Sequence, residues 1–138
     1  MISYLNEGIK CPKLPKRQLS AWIKQVAAMN LYSVGNITYI FCTDEKILEV
    51  NKQYLQHNYY TDIISFDYTE KKTIHGDIFI SLETVASNAK KFKVSFDQEL
   101  YRVVIHGVLH LCGQKDTKAQ DKIEMTRKEN EALALVSF

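Results

Sequence analysis

At 138 residues the chain has the length of one ordinary domain, and 46% hydrophobic with 25% charged residues excludes a disordered or fibrous protein. Eighteen Lys and Arg against sixteen Asp and Glu leave a formal charge of +2, so net charge alone does not announce a nucleic-acid binder. The distribution says more: no acidic residue falls between residues 9 and 43, where Lys10, Lys13, Lys16, Arg17 and Lys24 are all basic, so one end of the molecule should be locally positive.

Residues 2–5 read as a short first strand. A helix is expected to begin near Pro15, a residue tolerated in a first turn, with Leu19, Trp22, Ile23, Val26 and Asn30 on its inward stripe and Arg17 and Lys24 on the opposite face. Residues 36–43 are rich in β-branched and aromatic side chains and predict a second strand, followed by a helix capped at Thr43 or Asp44 and reaching about Tyr54. Residues 56–60 carry no period and are expected to be loop. Residues 62–68 and 77–82 predict two further strands, joined through a hairpin-type turn over residues 69–76 that closes near Gly76. Helices follow over about 81–93, 95–112 and 118–136, the second opened by Ser95 with Gln98 as a capping box and stopped by a left-handed cap at Gly113. The expectation is an α+β fold (α/β-like), a small mixed four-stranded sheet packed with about five helices, in a single domain spanning residues 1–138.

Cys11, Cys42 and Cys112 form no C-x-x-C pair, which argues against a disulfide framework and fits a reducing compartment. No apolar run approaches the roughly 20 residues of a membrane span, and residues 1–7 lack a signal-peptide pattern, so a cytoplasmic location with no membrane partner is expected.

The chemistry concentrates in residues 103–112, apolar on every side of a helical wheel and therefore central, yet interrupted by His106 and His110. At i and i+4 the two imidazoles share one face, with Cβ atoms roughly 5–6 Å apart, close enough to grip one ion. Gly107 between them admits a close neighbour, and the helix end three residues after His110 lets the chain fold back to present Asp116. Two imidazoles, one carboxylate and an open position form the usual layout of a catalytic zinc centre. The alternative is a pair of core histidines hydrogen-bonded to buried carbonyls or to Glu99. A zinc peptidase is disfavoured, because the place of its general base is taken by Gly107.

The run His106-Gly107-Val108-Leu109-His110-Leu111-Cys112-Gly113 resembles the core of the H-G-x-L-H-L-x-G-[Y]-D-H signature of the YbeY family of rRNA-maturation endoribonucleases. Asn51-Lys52-Gln53-Tyr54 followed by Thr61-Asp62-Ile63-Ile64-Ser65-Phe66, and Gly76-Asp77-Ile78-Phe79-Ile80-Ser81, resemble two further motifs of that family, in the same order and spacing. The resemblance implies metal-dependent hydrolysis of single-stranded RNA, serving maturation of the small-subunit rRNA 3′ end and ribosome quality control. It implies rRNA, the small ribosomal subunit and its assembly factors as partners, with no DNA expected. One zinc per chain is expected on His106, His110 and Asp116, with Thr61, Asp62, Ser65 and Asp77 as candidates to line the substrate groove. Asp62 or Asp77 is also a candidate to orient a histidine.

Two departures from the family pattern stand out. Asp116 takes the place of the family's third metal-binding histidine, which lowers the zinc preference of the site and opens it to other divalent ions. Leu55 takes the place of an arginine, and an apolar residue cannot hold a phosphate; Lys52, His57, Arg102, Lys115 or Lys118 are the candidate substitutes. Two rival readings follow: a metal-dependent hydrolase of another substrate, and a ribosome-assembly factor that binds RNA with little catalysis. A nucleotide-wide groove lined by Arg17, Lys24 and Lys90 would favour RNA.

Overall fold

The structure is a computed structural model and describes residues 1–11, 13–55 and 61–138. In chain order its elements are β1 (Ile2–Asn6), α1 (Lys16–Met29), β2 (Ser33–Cys42), α2 (Asp44–Leu55), β3 (Ile63–Asp67), β4 (Thr73–Ser81), α3 (Leu82–Phe92), α4 (Phe96–Leu111) and α5 (Ala119–Leu133). The four strands form one mixed sheet in the order β1-β2-β4-β3. β1 and β4 run parallel to β2, and β3 closes the sheet antiparallel to β4. This is the expected α+β architecture of four strands and five helices.

Strand alternation sorts the side chains into two layers. Ile37, Tyr39 and Phe41 of β2 with Ile74, Ile78 and Ile80 of β4 join the main core, where α1, α3, α4 and α5 contribute Trp22, Val85, Leu109 and Met125 among others. A smaller cluster on the opposite face packs Ile47 and Val50 of α2 against Cys42 and Ile64, with Phe66 and Phe79 at its margin. Buried hydrogen bonds pin the first layer: the Tyr39 hydroxyl donates to the Val104 carbonyl at 3.1 Å, and the Trp22 indole donates to the Ala132 carbonyl at 2.8 Å. The three cysteines are unpaired, with burial raising the Cys42 thiol to about 12 and the Cys112 thiol to about 11.

α4 is the central helix. Its capping box holds as expected, Ser95 accepting from the Gln98 amide at 3.1 Å while the Gln98 side chain accepts from the Ser95 amide at 2.9 Å. It packs against α1, α3, α5, β3 and β4. Gly107 is what lets it lie so close to the sheet: a Cβ there would stand 3.0 Å from Ile78 and 3.2 Å from Ile63.

One expected boundary moves. The β3–β4 turn spans only residues 68–72, and Gly76 lies inside β4 instead of closing the hairpin. Its hydrogen faces the Phe66 carbonyl, which a Cβ would approach to 2.7 Å. The glycine therefore marks a crowded strand position, not a turn.

Candidate metal centre

Arg102, His106 and His110 follow one another at intervals of four along α4 and so share a stripe. That stripe looks toward α5 and the end of β3. Beyond Leu111 the chain turns sharply. Gly113 adopts φ +89°, its amide donates to the His110 carbonyl at 2.9 Å, and the Gln114 amide donates to the Leu109 carbonyl at 3.0 Å. This is the Schellman arrangement, which reverses the chain and satisfies two terminal carbonyls. It brings Asp116 back beside His106, with Oδ2 3.7 Å from Nε2.

His106, His110 and Asp116 each offer one ligand atom, and these atoms lie within 4.8 Å of one another. An ion bound tetrahedrally at zinc distances spaces its ligands about 3.4 Å apart. The His106–Asp116 separation is near that value, and small side-chain rotations close the rest. The three residues fit a divalent ion.

The tautomer needed for such a site is fixed from behind. Glu129 of α5 lies 2.6 Å from Nδ1 of His106, so that Nδ1–H donates to the carboxylate and Nε2 faces Asp116. The other Glu129 oxygen accepts from Arg102 at 3.1 Å, and Arg102 lies 3.8 Å from Glu99. Two buried carboxylates are thus compensated by one guanidinium. Burial alone lowers the His106 pKa, but the hydrogen bond and charge of Glu129, with Asp116 and Asp62 adding, hold it above its ordinary value. His110 moves the other way, lowered by burial and by His106. Burial also raises the Glu99 carboxyl, against the pull of Arg102.

A cleft of about 240 Å³ opens beside the histidines, lined by Ile63, Ser65, Asp67, His110 and Leu111. Alternation along β3 puts Ser65 and Asp67 on the His110 side. Of the groove candidates, Ser65 lies in this cleft and Asp62 is close enough to His106 to influence its charge, while Thr61 hydrogen-bonds to Asp62 at 3.4 Å. Asp77 does not join them. It points to the opposite face of the sheet, where Tyr68 donates to it at 3.4 Å beside Phe66 and Phe79. The carboxylate that orients His106 is Glu129, in place of the expected Asp62 or Asp77 and of the alternative partner Glu99.

Asp67 and Glu129 were the residues sequence reasoning missed. Both left a signal: Asp67 shares strand parity with Ser65, and Glu129 falls on the inward stripe of α5 with Met125 and Ala132. Arg17, Lys24 and Lys90 are exposed and line no part of the cleft. His57 and the side chain of Leu55 lie outside the described residues.

A half-buried pair of imidazoles and a carboxylate on an α+β scaffold, opening onto a cleft, belongs to the class of metal-dependent hydrolase sites. The chain belongs to the family described as endoribonuclease YbeY, whose model matches residues 4–137. It is 58% identical to the endoribonuclease YbeY of Phocaeicola vulgatus across the whole of both chains. It is 53% identical to that of Bacteroides thetaiotaomicron over 97% of this chain and 98% of the relative. A Thermotoga maritima protein of known solution structure superposes with a TM-score of 0.68 at 27% identity, covering 96% of this chain and 87% of that one.

Proposed function

We propose that this protein is a metal-dependent endoribonuclease that cleaves single-stranded rRNA, in the maturation of the small-subunit 3′ end. The observation that carries the reading is the convergence of His106, His110 and Asp116, with His110 in the wall of the cleft and Glu129 fixing the His106 tautomer. The family membership supports the reaction class. Residues 1–138 act as one domain on this reading. Zinc is the proposed ion, one per chain; the carboxylate ligand also accommodates other divalent ions. The partners are rRNA, the small ribosomal subunit and its assembly factors, and the place of action is the cytoplasm. Among the described residues no helix is long and apolar enough to cross a membrane.

When bound, the ion supplies Lewis acidity toward a phosphoryl oxygen and makes water a competent nucleophile near neutral pH. The protein does the rest. In the neutral His106 ring Glu129 holds the proton on Nδ1, which turns the Nε2 lone pair toward the ion site, and Arg102 keeps Glu129 compensated. The Ser65 hydroxyl can donate to a phosphate oxygen in the cleft, and the Asp67 carboxylate can accept from a ribose hydroxyl. Arg102 is committed to Glu129 and Glu99, and Lys52 rides on α2 at the opposite face, so neither replaces the arginine that Leu55 displaces. Lys115, exposed and adjacent in sequence to Asp116, is the proposed cation for the phosphate.

The test is incubation with a 3′-extended small-subunit rRNA fragment. Endonucleolytic products that disappear with chelator and with His110→Ala are expected. RNA left intact at stoichiometric protein with divalent ion supplied would contradict the reading and favour a binding-only role.

A further inference from the structure

The basic stretch noted in the sequence has no part in the cleft. Lys10, Lys13, Lys16, Arg17 and Lys24 are all exposed, and none has an ion-pair partner among the described residues. Ion pairs among the described residues hold three cations elsewhere in the chain. Arg102 is held by Glu99 and Glu129, Arg127 by Glu124 and Glu131, and Lys46 by Glu7 and Glu49. Of the three arginines, Arg17 is the one without an ion-pair partner among the described residues.

The unpaired group is also placed at local cost. Lys16 and Arg17 occupy the first turn of α1, which contains no acidic residue and no capping side chain, where the helix dipole disfavours cations. Beside that turn lies a second cleft, of about 420 Å³, walled by Lys13, Lys16, Tyr4, Phe41 and Asn6. Arg17 and Lys24 continue the charge along α1, seven residues and about 10 Å apart on one face. The sheet order puts β1, which borders this cleft, three strand spacings or about 14 Å from β3, whose Ser65 and Asp67 line the other cleft with His110.

Resting on the endoribonuclease reading, we infer that Lys13, Lys16 and Arg17, extended by Lys10 and Lys24, form a second RNA-binding surface that holds the phosphate backbone of substrate outside the cleaved segment. Five cations without an ion-pair partner among the described residues, two of them in the wall of an open cleft, match a polyanion in charge. The separation of β1 from β3 means that one ligand engaging both clefts must be several nucleotides long. The surface therefore selects extended or structured RNA over short fragments, without reading its sequence.

The experiment measures binding apart from cleavage. A fluorescent RNA hairpin with a single-stranded tail is titrated in chelator with wild type, with a Lys13→Gln/Lys16→Gln/Arg17→Gln variant, and with a charge-matched Lys90→Gln/Lys91→Gln/Lys93→Gln control at the far end of α3. The patch variant is expected to lose about tenfold or more in affinity at 0.1 M salt, and its log–log salt slope to fall by about two to three. The control should stay within about twofold of wild type, and the melting temperature of the patch variant should hold or rise. Equal losses in both variants, or no loss in either, overturn the inference, as does binding to anionic lipid vesicles without binding to the RNA. Failure of the endoribonuclease reading looks different: the RNA is bound at the patch but never cut.

Discussion

The two edges of the sheet handle charge in opposite ways. Beside β3, the charges are buried or half-buried and joined in one network: Arg102 bridges Glu99 and Glu129, Glu129 holds His106, and His106 meets Asp116. At the β1 edge, cations lie outside and are unanswered among the described residues. A buried polar group without partners is costly, so the first edge is built as a connected network that defines the His106 tautomer. Exposed cations are cheap to leave unpaired, so the second remains available to a ligand. The first arrangement suits chemistry at a fixed point, the second recognition of an extended polyanion.

Removing the hub of the internal network should have the largest effect. Glu129→Ala frees the His106 ring and leaves Arg102 with one partner fewer. Metal affinity should fall about 10–100-fold, and stability by about 1–3 kcal/mol, measured by competitive chelation and urea unfolding. A variant that keeps both would show that the network does not position the histidine.

Packing beneath the cleft comes next. Gly76→Ala drives a methyl group against the Phe66 carbonyl and Leu111, the latter a wall of the cleft. An overpacking cost of about 1–3 kcal/mol is expected in urea unfolding, with little change in metal content.

The pH response of chelator-stripped protein separates the two histidines. His106 is raised in the folded state, so its stabilisation is complete below the unfolded value of about 6.5 and is lost as pH rises through its folded pKa. His110 is lowered, so below about 6.5 the unfolded state takes up a proton first and stability declines as pH falls. Their joint contribution is therefore greatest near pH 6.5. Urea midpoints across pH 5–8.5 should show His106→Gln flattening the alkaline limb and His110→Gln the acid limb; the reverse assignment would contradict the geometry.

The smallest effect belongs to the outer edge. Lys16→Glu replaces a cation with an anion at the positive end of α1 and should stabilise by about 0.5 kcal/mol, while weakening RNA binding. Gains in both would remove the contrast between the edges.

Much of this was legible because the signals were local. The i, i+4 spacing of His106 and His110 sits within one helix, and Gly113 announces the reversal that delivers Asp116. Glu129 was harder to see: its partner His106 is twenty-three residues away on another helix, and only the packing of α4 on α5 joins them. Its signal was an acid on the inward stripe of a helix, which periodicity marks as buried without naming the partner. Asp77 misled for a related reason. It lies in a motif next to the site in sequence, yet the inward parity of Ile74, Ile78 and Ile80 turns it to the opposite face. Gly76 reads from sequence as the close of a hairpin-type turn; crowding by the Phe66 backbone is a tertiary cause that the sequence does not display.

The central claim is that His106, His110 and Asp116 hold one divalent ion. Elemental mass spectrometry of purified wild type beside His106→Ala/His110→Ala tests it most directly. The account predicts about one equivalent of zinc, or of another divalent ion, in the wild type and none in the double variant. Equal metal content in both proteins, or none in a folded wild type after incubation with zinc, would contradict it.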